Sequence, residues 1–281
     1  MTAVDTALTP QLIEDFRRDG FVVVPGLLSA DERRRYGSAV DEAVGRRSKG
    51  DTRTLAQKSR YEQSFIQCQN LWEDSESVRP LTFHPLLAET AARLLGVGAV
   101  RLWHDQALYK EPGGRETDPH QDQPYWPIVE TNTITAWIPF DGSTLETGAM
   151  GYLPGSHRLG VREFVNIFTG DGDEGGGGVL GREELAGIEP VFVEVPPGAV
   201  AYHHSLTFHL AGANHTGTVR RVHTVIYFAD GSTRGEGRFP HPSVERAGIG
   251  LGEVIASDVT PLAWPRPVAE PLPPAPAVPL W

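Results

Sequence analysis

The chain contains 281 residues, 40% of them hydrophobic and 22% charged, a composition that supports a substantial core and excludes a wholly disordered chain. Its net charge of −11 opposes binding to nucleic-acid phosphates and to anionic lipid surfaces, so we expect a small-molecule partner. The single cysteine, Cys68, excludes internal disulfides, and the sequence shows neither a basic leader nor an apolar run of about 18 residues; together these features predict a cytoplasmic protein that does not span a membrane.

The first third of the chain carries the predicted helices. Thr9 can cap a helix that Gly20 ends, and Ser29 begins a capping box for a second helix. A third helix is predicted over residues 85–95, with a glycine as its stop. We therefore place the helices mainly in residues 9–95.

After residue 98 the pattern changes to short β-type runs separated by turn residues. No helical period intervenes between the runs, so we expect an antiparallel double-sheet core rather than parallel βαβ units. The predicted fold is mainly β with flanking helices: a jelly roll of the double-stranded β-helix, cupin-like kind, over about residues 99–230. The predicted strands lie at residues 21–24, 100–110, 133–140, 190–195, 198–204 and 219–229.

Two segments interrupt or follow this core. Residues 166–187 are Gly-rich and acidic, with four consecutive glycines, and we interpret them as a mobile insertion that serves as a lid. Residues 258–281 contain eight prolines, which excludes a helix or a central strand and predicts an extended arm over the surface. We interpret residues 1–281 as a single catalytic domain.

The segment DPHQDQPYW places His120 and Asp122 two residues apart. In an extended chain such residues point to the same face and can bind one ion, although a His-x-Asp pair alone is also common as a hydrogen-bonded surface pair. If His209 faces the same cavity, two histidines and a carboxylate bind one side of a metal, which suits iron(II) and oxygen chemistry and also occurs in catalytic zinc sites. Arg220, on the next predicted strand, could bind a carboxylate through two hydrogen bonds. A zinc hydrolase does not require such an arginine.

With these residues in view, the sequence resembles the phytanoyl-CoA dioxygenase family of iron(II)/2-oxoglutarate oxygenases. The resemblance extends to about Asp230 and depends on the order of several short motifs. These are DGFVVVPGLLS, NLW, HDQALYKEPGG, PHQDQPYWP, TAWIPF, LPGSH and the segment from His209 to Arg220.

The resemblance implies a role for each matching position. These are His120, Asp122 and His209 as iron ligands, Arg220 for the distal carboxylate of 2-oxoglutarate, and Trp137, Gln106 and Gln67 as walls of the co-substrate pocket. Relatives often carry serine where this chain has Ala211, which puts one co-substrate hydrogen bond in doubt.

The implied activity is oxidation, by default hydroxylation, of an unactivated C–H bond of a small-molecule metabolite with dioxygen, releasing succinate and carbon dioxide. The family also permits epimerisation, desaturation or ring closure, and a secondary metabolite is a plausible substrate. Two alternatives remain: a zinc-dependent hydrolase or isomerase on a similar barrel, and a non-enzymatic ligand-binding barrel that keeps a metal for stability.

Other histidines compete for these roles. His203 and His204 lie close enough to His209 that either could be the distal ligand instead. His157 follows Pro-Gly-Ser and is expected to satisfy loop backbone groups. His104 could face the substrate, but we favour a core histidine.

Four further side chains have two interpretations each. Tyr125 and Trp126 could wall the substrate pocket or pack in the core. Lys110 could hold an anion, but a solvated strand end is the preferred interpretation. Arg221 is expected on the face opposite Arg220, at the surface.

Overall fold

The computed structural model of the protein describes residues 7–169, 178–267 and 269–278. The helices are α1 Pro10–Asp19, α2 Ala30–Arg47, α3 Arg60–Ser64, α4 Leu71–Asp74, α5 Arg79–Thr82, α6 Pro85–Leu95 and α7 Pro242–Glu245. The strands are β1 Phe21–Val24, β2 Ile66–Gln69, β3 Val100–Lys110, β4 Thr117–His120, β5 Thr133–Pro139, β6 Met150–Tyr152, β7 Val191–Val193, β8 Val200–His204, β9 His209–Ala211, β10 Arg220–Ala229 and β11 Leu262–Trp264. In the described part of the chain, no helix has the length and apolar character needed to cross a bilayer.

The three predicted helices are confirmed, and their ends have the expected caps. The Thr9 hydroxyl accepts a hydrogen bond from the backbone of Leu12, and Ser29 forms a complete capping box with Glu32. Gly20 follows α1 with φ 82°, a left-handed conformation that favours glycine. These local signals fix where α1 ends and β1 begins.

The predicted antiparallel double-sheet core is confirmed. The large sheet has the strand order β1-β8-β5-β10-β3-β11, with β2 also paired to β3, and the small sheet has the order β4-β9-β6-β7. All strand pairings within the described residues are antiparallel. The result is a jelly roll with helices on the outer face of the large sheet.

Strand β10 shows how the large sheet divides the interior. Val225 and Tyr227 belong to the main core, where they pack beneath the helices. Thr224 and Ile226, which alternate with them, line a cavity between the sheets. The same two-residue period therefore builds the core on one face of the strand and the candidate site on the other.

Three sequence expectations need revision. Strands β2, β4, β6 and β9 were not predicted, because each has only three or four residues and lacks the run of β-branched residues that marks the equally short β1. The C-terminal arm contains a strand that the sequence did not predict, since Leu262–Trp264 form β11 at the edge of the large sheet, although no central strand occurs there. The described end of the 166–187 insertion contains buried Val179 and Leu185, which pack with Leu153 and Phe208. Most of the glycine run lies outside the described residues.

Candidate active site

His120 and His209 face each other across the pair of strands β4 and β9. Their backbones are direct partners in the sheet, and their ring centroids lie 4.3 Å apart. Asp122 follows β4 at the start of a short 3₁₀ turn, and its Oδ1 lies 3.8 Å from Nε2 of His120 and 3.7 Å from Nε2 of His209. These three side chains form a metal-ligating cluster, with all three ligand atoms within 4.8 Å of one another.

Backbone contacts orient both imidazoles toward a common centre. Nδ1 of His120 lies 2.8 Å from the carbonyl of Asp118, and Nδ1 of His209 lies 3.0 Å from the carbonyl of Thr207. A carbonyl only accepts, so each Nδ1 carries the proton and each Nε2 keeps its lone pair. Both Nε2 atoms are therefore free to bind a metal, an arrangement that is usual for histidine ligands.

The second oxygen of Asp122 has its own partners. Thr135 donates to Oδ2 at 3.1 Å, and Nε2 of His203 lies 3.3 Å from the same atom. Thr135 and His203 are themselves cross-strand neighbours on β5 and β8. The large sheet thus holds one carboxylate oxygen while the other faces the two histidines.

Burial and charge keep the cluster in the protonation state that binds a metal. Burial lowers the pKa of His120 to about 4, and the neighbouring His209 adds to the effect. Burial, followed by the charge of His203, lowers the pKa of His209 to about 4 as well. Burial raises the pKa of Asp122, but His209, His203 and His120 outweigh it and hold that pKa below its ordinary value. The site therefore presents two neutral imidazoles and one carboxylate.

Arg220 is a buried cation that opens into the same cavity. It is 4% exposed, and burial lowers its pKa to about 10. One of its Nη atoms donates to the carbonyl of Gly148, its guanidinium lies 5.2 Å from the ring of Trp137, and its Nε has no hydrogen-bond partner. No acidic side chain among the described residues pairs with it. A buried arginine without a counter-ion is well suited to bind an anion.

Gly148 is required at the position that holds Arg220. Its φ is 88°, and a Cβ there would lie 2.5 Å from the carbonyl oxygen of Gly212. Only glycine can adopt this turn so close to a second backbone segment. The turn directs the carbonyl of Gly148 to the guanidinium.

Gln67 and Gln106 lie together on the cavity wall. The amide of Gln67 donates to that of Gln106 at 2.6 Å and accepts from the hydroxyl of Tyr61 at 2.9 Å. Both glutamines, together with Trp137 and Ala211, line the cavity. All seven positions singled out in the sequence for a cofactor or metal role therefore surround one space.

That space is a cavity of about 420 Å³ between the two sheets. Arg220 and Leu108 lie at one end, and Ile226 and His104 at the other, because β10 and β3 run antiparallel with these residues in register along the wall. The second end is rich in aromatic and imidazole rings. They belong to His104, Trp126, Phe239 and His241, while Tyr61, Phe65, Tyr125 and Phe168 add further rings to the cavity lining.

The competing histidines have other partners. His203 does not stand in place of His209 but contacts Asp122 beside it. His204 points away toward Phe16 and His157, and its Nδ1 accepts from a backbone N–H. His157 contacts the carbonyl of Arg17, as expected for a loop histidine. His104 is buried like a core residue and also lines the cavity.

Arg221 and Lys110 were both predicted to lie at the surface, and this prediction is confirmed for Arg221 and wrong for Lys110. Arg221 lies on the outer face and forms ion pairs with Asp41 and Asp141. Lys110 is not a solvated strand end: it is fully buried, and its ammonium donates to the carbonyl of Arg115. The loop after β3 folds back over the side chain.

Sequence reasoning missed the segment Phe239 to Pro242, which supplies Phe239 and His241 to the cavity. The segment reads FPHP and shows no strand or helix period. Its only signal is a histidine flanked by two prolines and preceded by an aromatic residue, about ten residues after the end of β10.

Comparisons with known proteins give consistent results. A family model described as Phytanoyl-CoA dioxygenase (PhyH) matches residues 16–222. A protein of Stutzerimonas stutzeri named "Probable alpha-ketoglutarate-dependent hypophosphite dioxygenase" is 32% identical over 130 residues, which are 46% of this chain and 45% of that protein. The chain thus matches about half the length of that relative.

Two solved structures resemble nearly the whole chain. The non-heme alpha ketoglutarate dependent carbocyclase SnoK from nogalamycin biosynthesis is 26% identical with a TM-score of 0.74, covering 93% of this chain and 98% of that one. The epimerase SnoN from the same biosynthesis is 25% identical, with the same TM-score and coverage.

Proposed function

The chain belongs to the phytanoyl-CoA dioxygenase family, and on that basis we propose that it is a non-haem iron(II)- and 2-oxoglutarate-dependent dioxygenase. His120, Asp122 and His209 would hold the iron, and Arg220 would bind the distal carboxylate of 2-oxoglutarate. The proposed reaction is hydroxylation of a C–H bond in a small-molecule metabolite, with release of succinate and carbon dioxide. The whole chain would act as one catalytic domain.

One observation carries this proposal: a buried arginine with no acidic partner in the described part of the chain and a two-histidine, one-carboxylate cluster open into the same cavity. The donor set fits iron(II), because three ligands on one side leave the other positions free for a co-substrate and dioxygen. The arginine fits a dicarboxylate, because the cost of its burial is offset only when an anion arrives. A zinc hydrolase would have no use for the second feature.

The protein's own contribution is orientation and exclusion of water. Thr135 and His203 fix the carboxylate of Asp122, while Trp137 packs against Arg220. The hydroxyl of Tyr125 donates to the carbonyl of Val165, which holds the chain near Phe168 over the cavity. Bound iron with 2-oxoglutarate supplies the oxidising power, and these side chains decide which C–H bond meets it.

The relatives named above as a carbocyclase and an epimerase show that close folds perform different oxidations. Hydroxylation is proposed here as the default outcome. A substrate from secondary metabolism is consistent with a cavity of this size and aromatic character.

The test is anaerobic reconstitution with iron(II), followed by optical titration with 2-oxoglutarate and then by exposure to oxygen. The proposal predicts a new absorption band on binding and release of succinate under oxygen. A protein that binds iron(II) but neither perturbs its spectrum with 2-oxoglutarate nor releases succinate would favour the zinc-type or non-enzymatic alternatives.

A further inference from the structure

A β-bulge in β3 changes which side chains reach the cavity. Between β3 and β10 the register shifts: Ile226 pairs with His104 and Tyr227 with Leu102, so Trp103 is the extra residue. Bulges re-aim side chains and are common beside active sites. Here the consecutive residues Trp103 and His104 both point to the cavity side of the sheet, since Trp103 packs with Phe228 and His104 lines the cavity.

Both re-aimed residues contact His241. The ring of His241 stacks on Trp103 at 4.4 Å and lies 5.7 Å from the ring of His104. His241 itself precedes α7 and lines the cavity. Two imidazoles from distant parts of the chain thus meet at the aromatic end, away from Arg220.

Backbone partners set the tautomer of each imidazole. Nδ1 of His241 accepts from the N–H of Ser243 at 3.2 Å, so its proton is on Nε2. Nδ1 of His104 lies 3.4 Å from the carbonyl of Asp105 and so carries the proton, which leaves Nε2 as an acceptor. Burial lowers the pKa of His104 to about 4 and the pKa of His241 well below its ordinary value, so both rings are neutral.

The pair therefore offers one donor and one acceptor. Nothing in the described chain hydrogen-bonds to either Nε2 atom, from His104 or His241. An alcohol or phenol hydroxyl donates and accepts at once, so it matches both atoms. A buried pair of this kind rejects an analogue that lacks the hydroxyl, because its own polar atoms are then left unpaired.

The surrounding wall is apolar and carries no cation. Trp126 lies 6.4 Å from His104, and Phe239 and Phe168 are exposed rings at the rim. Of the described residues that line the cavity, Arg220 is the one arginine or lysine, and it lies at the opposite end. An anionic substrate would therefore meet no arginine or lysine among the described lining residues near His104.

The histidine pair lies at the level of the metal ligands. Thr135, which holds Asp122, pairs with Ile226, and Ile226 pairs with His104. We propose that His104 and His241 bind a hydroxyl group of a neutral substrate that contains an aromatic or similarly flat ring. This inference rests on the proposed function, in which the substrate binds beside the three metal ligands.

The experiment measures binding of three probes of one shape to the anaerobic iron(II)–2-oxoglutarate complex by calorimetry. They are 2-naphthol, 2-methylnaphthalene without the hydroxyl, and the anion 2-naphthoate. Wild-type protein should bind 2-naphthol roughly tenfold more tightly than the other two, the scale of one to two hydrogen bonds. His104→Phe and His241→Phe each replace the imidazole with another flat ring and should remove the preference for 2-naphthol over 2-methylnaphthalene. His215 is exposed, so His215→Phe should keep that preference.

The optical band of the iron(II)–2-oxoglutarate complex shows that each variant is folded, and either histidine variant alone suffices for the test. Equal binding of 2-naphthol and 2-methylnaphthalene by wild type, or an unchanged preference in both variants, overturns the histidine pair. Absence of the band in wild type refutes the proposed function instead. A preference for 2-naphthol that is present without the band, and lost in the variants, still supports the pair.

Discussion

Nε2 of His203 lies 3.3 Å from Oδ2 of Asp122, while the other oxygen of that carboxylate faces His120 and His209. One aspartate is therefore held on its outer side by a histidine and presented on its inner side to two more. In the sequence His203 is an alternative candidate for the metal ligand, whereas in the structure it holds the ligand Asp122 in place.

We expect His203→Phe to weaken iron(II) binding by about 10- to 100-fold, the usual cost of losing an outer-shell partner of a ligand. The phenyl ring keeps the packing against Tyr152 but cannot hold the carboxylate. Competition with a coloured chelator measures the affinity. His204→Phe is the matched control and should bind iron(II) like wild type; equal losses in both variants would contradict the role of His203.

Asp122→Ala should lose more than about 100-fold in iron(II) affinity, beyond the cost of an outer-shell loss, and all succinate formation. The ligand lines a cavity rather than packed core, so the fold should persist, as circular dichroism can verify. His209→Ala should behave alike. Normal succinate yield from either variant would remove that residue from the iron site.

Arg220→Lys should weaken 2-oxoglutarate binding at least about tenfold while leaving iron(II) binding unchanged, because lysine keeps the charge but loses the two-pronged geometry. Arg221→Lys provides the control, since its partners Asp41 and Asp141 are on the outer face and exposed pairs contribute little. Optical titration of each iron(II) complex gives both affinities. Reversed effects would mean that Arg221, not Arg220, faces the co-substrate.

The buried Lys110 predicts a pH-dependent stability. Burial, followed by the charge of Arg220, lowers its pKa to about 7. Below that pH the ammonium is charged in the folded and unfolded chains alike, and the folded state bears the full cost. As pH rises from about 7 to 10.5, the folded lysine is neutral while the unfolded one still holds its proton, so the free energy of unfolding increases.

Relative to Lys110→Met, the free energy of unfolding of wild type should therefore rise by roughly 1–4 kcal/mol between pH 7 and pH 10. Urea denaturation of both proteins without metal measures the difference, and groups common to the two cancel. A difference that stays constant across this range would show that Lys110 titrates normally.

The described end of the Gly-rich insertion is anchored by Leu185, which is 2% exposed among Leu153, Val165 and Phe208. If the insertion acts as a lid, Leu185→Ala should loosen it and raise 2-oxoglutarate consumption above product formation, because water then reaches the reaction. Leu180→Ala changes an exposed leucine of the preceding 3₁₀ turn and should keep the parent ratio. If Leu185→Ala keeps the wild-type ratio of 2-oxoglutarate consumed to product formed, the insertion has no role in catalysis.

The sequence was most informative where one local pattern carries the structure. Helix caps such as that of Ser29 predicted helix positions, and strand alternation placed Arg220 and Arg221 on opposite faces. The grouping of His120 and Asp122 followed from their i, i+2 spacing. The family resemblance was needed to add His209, because periodicity alone left His203 and His204 open.

Tertiary relationships between distant segments were not predictable. The support that His203 gives to Asp122 depends on β8 lying beside β5 in one register. The burial of Lys110 depends on a loop that folds back over β3, and the place of His104 depends on a bulge one residue long. None of these leaves a periodic signal in a single sequence.

The pairing of His120 with His209 joins β4 to β9, strands that are far apart in the chain. An ion held by both imidazoles would cross-link the two segments in the folded protein, whereas the unfolded chain offers no such site. Thermodynamic linkage then makes the melting temperature a function of free metal, with about 2.7 kcal/mol of added stability when the ion is present at 100 times its dissociation constant. The metal site would thus also stabilise the small sheet. Removing the metal with a chelator should therefore lower the melting temperature even of a variant that binds the metal but has no catalytic activity.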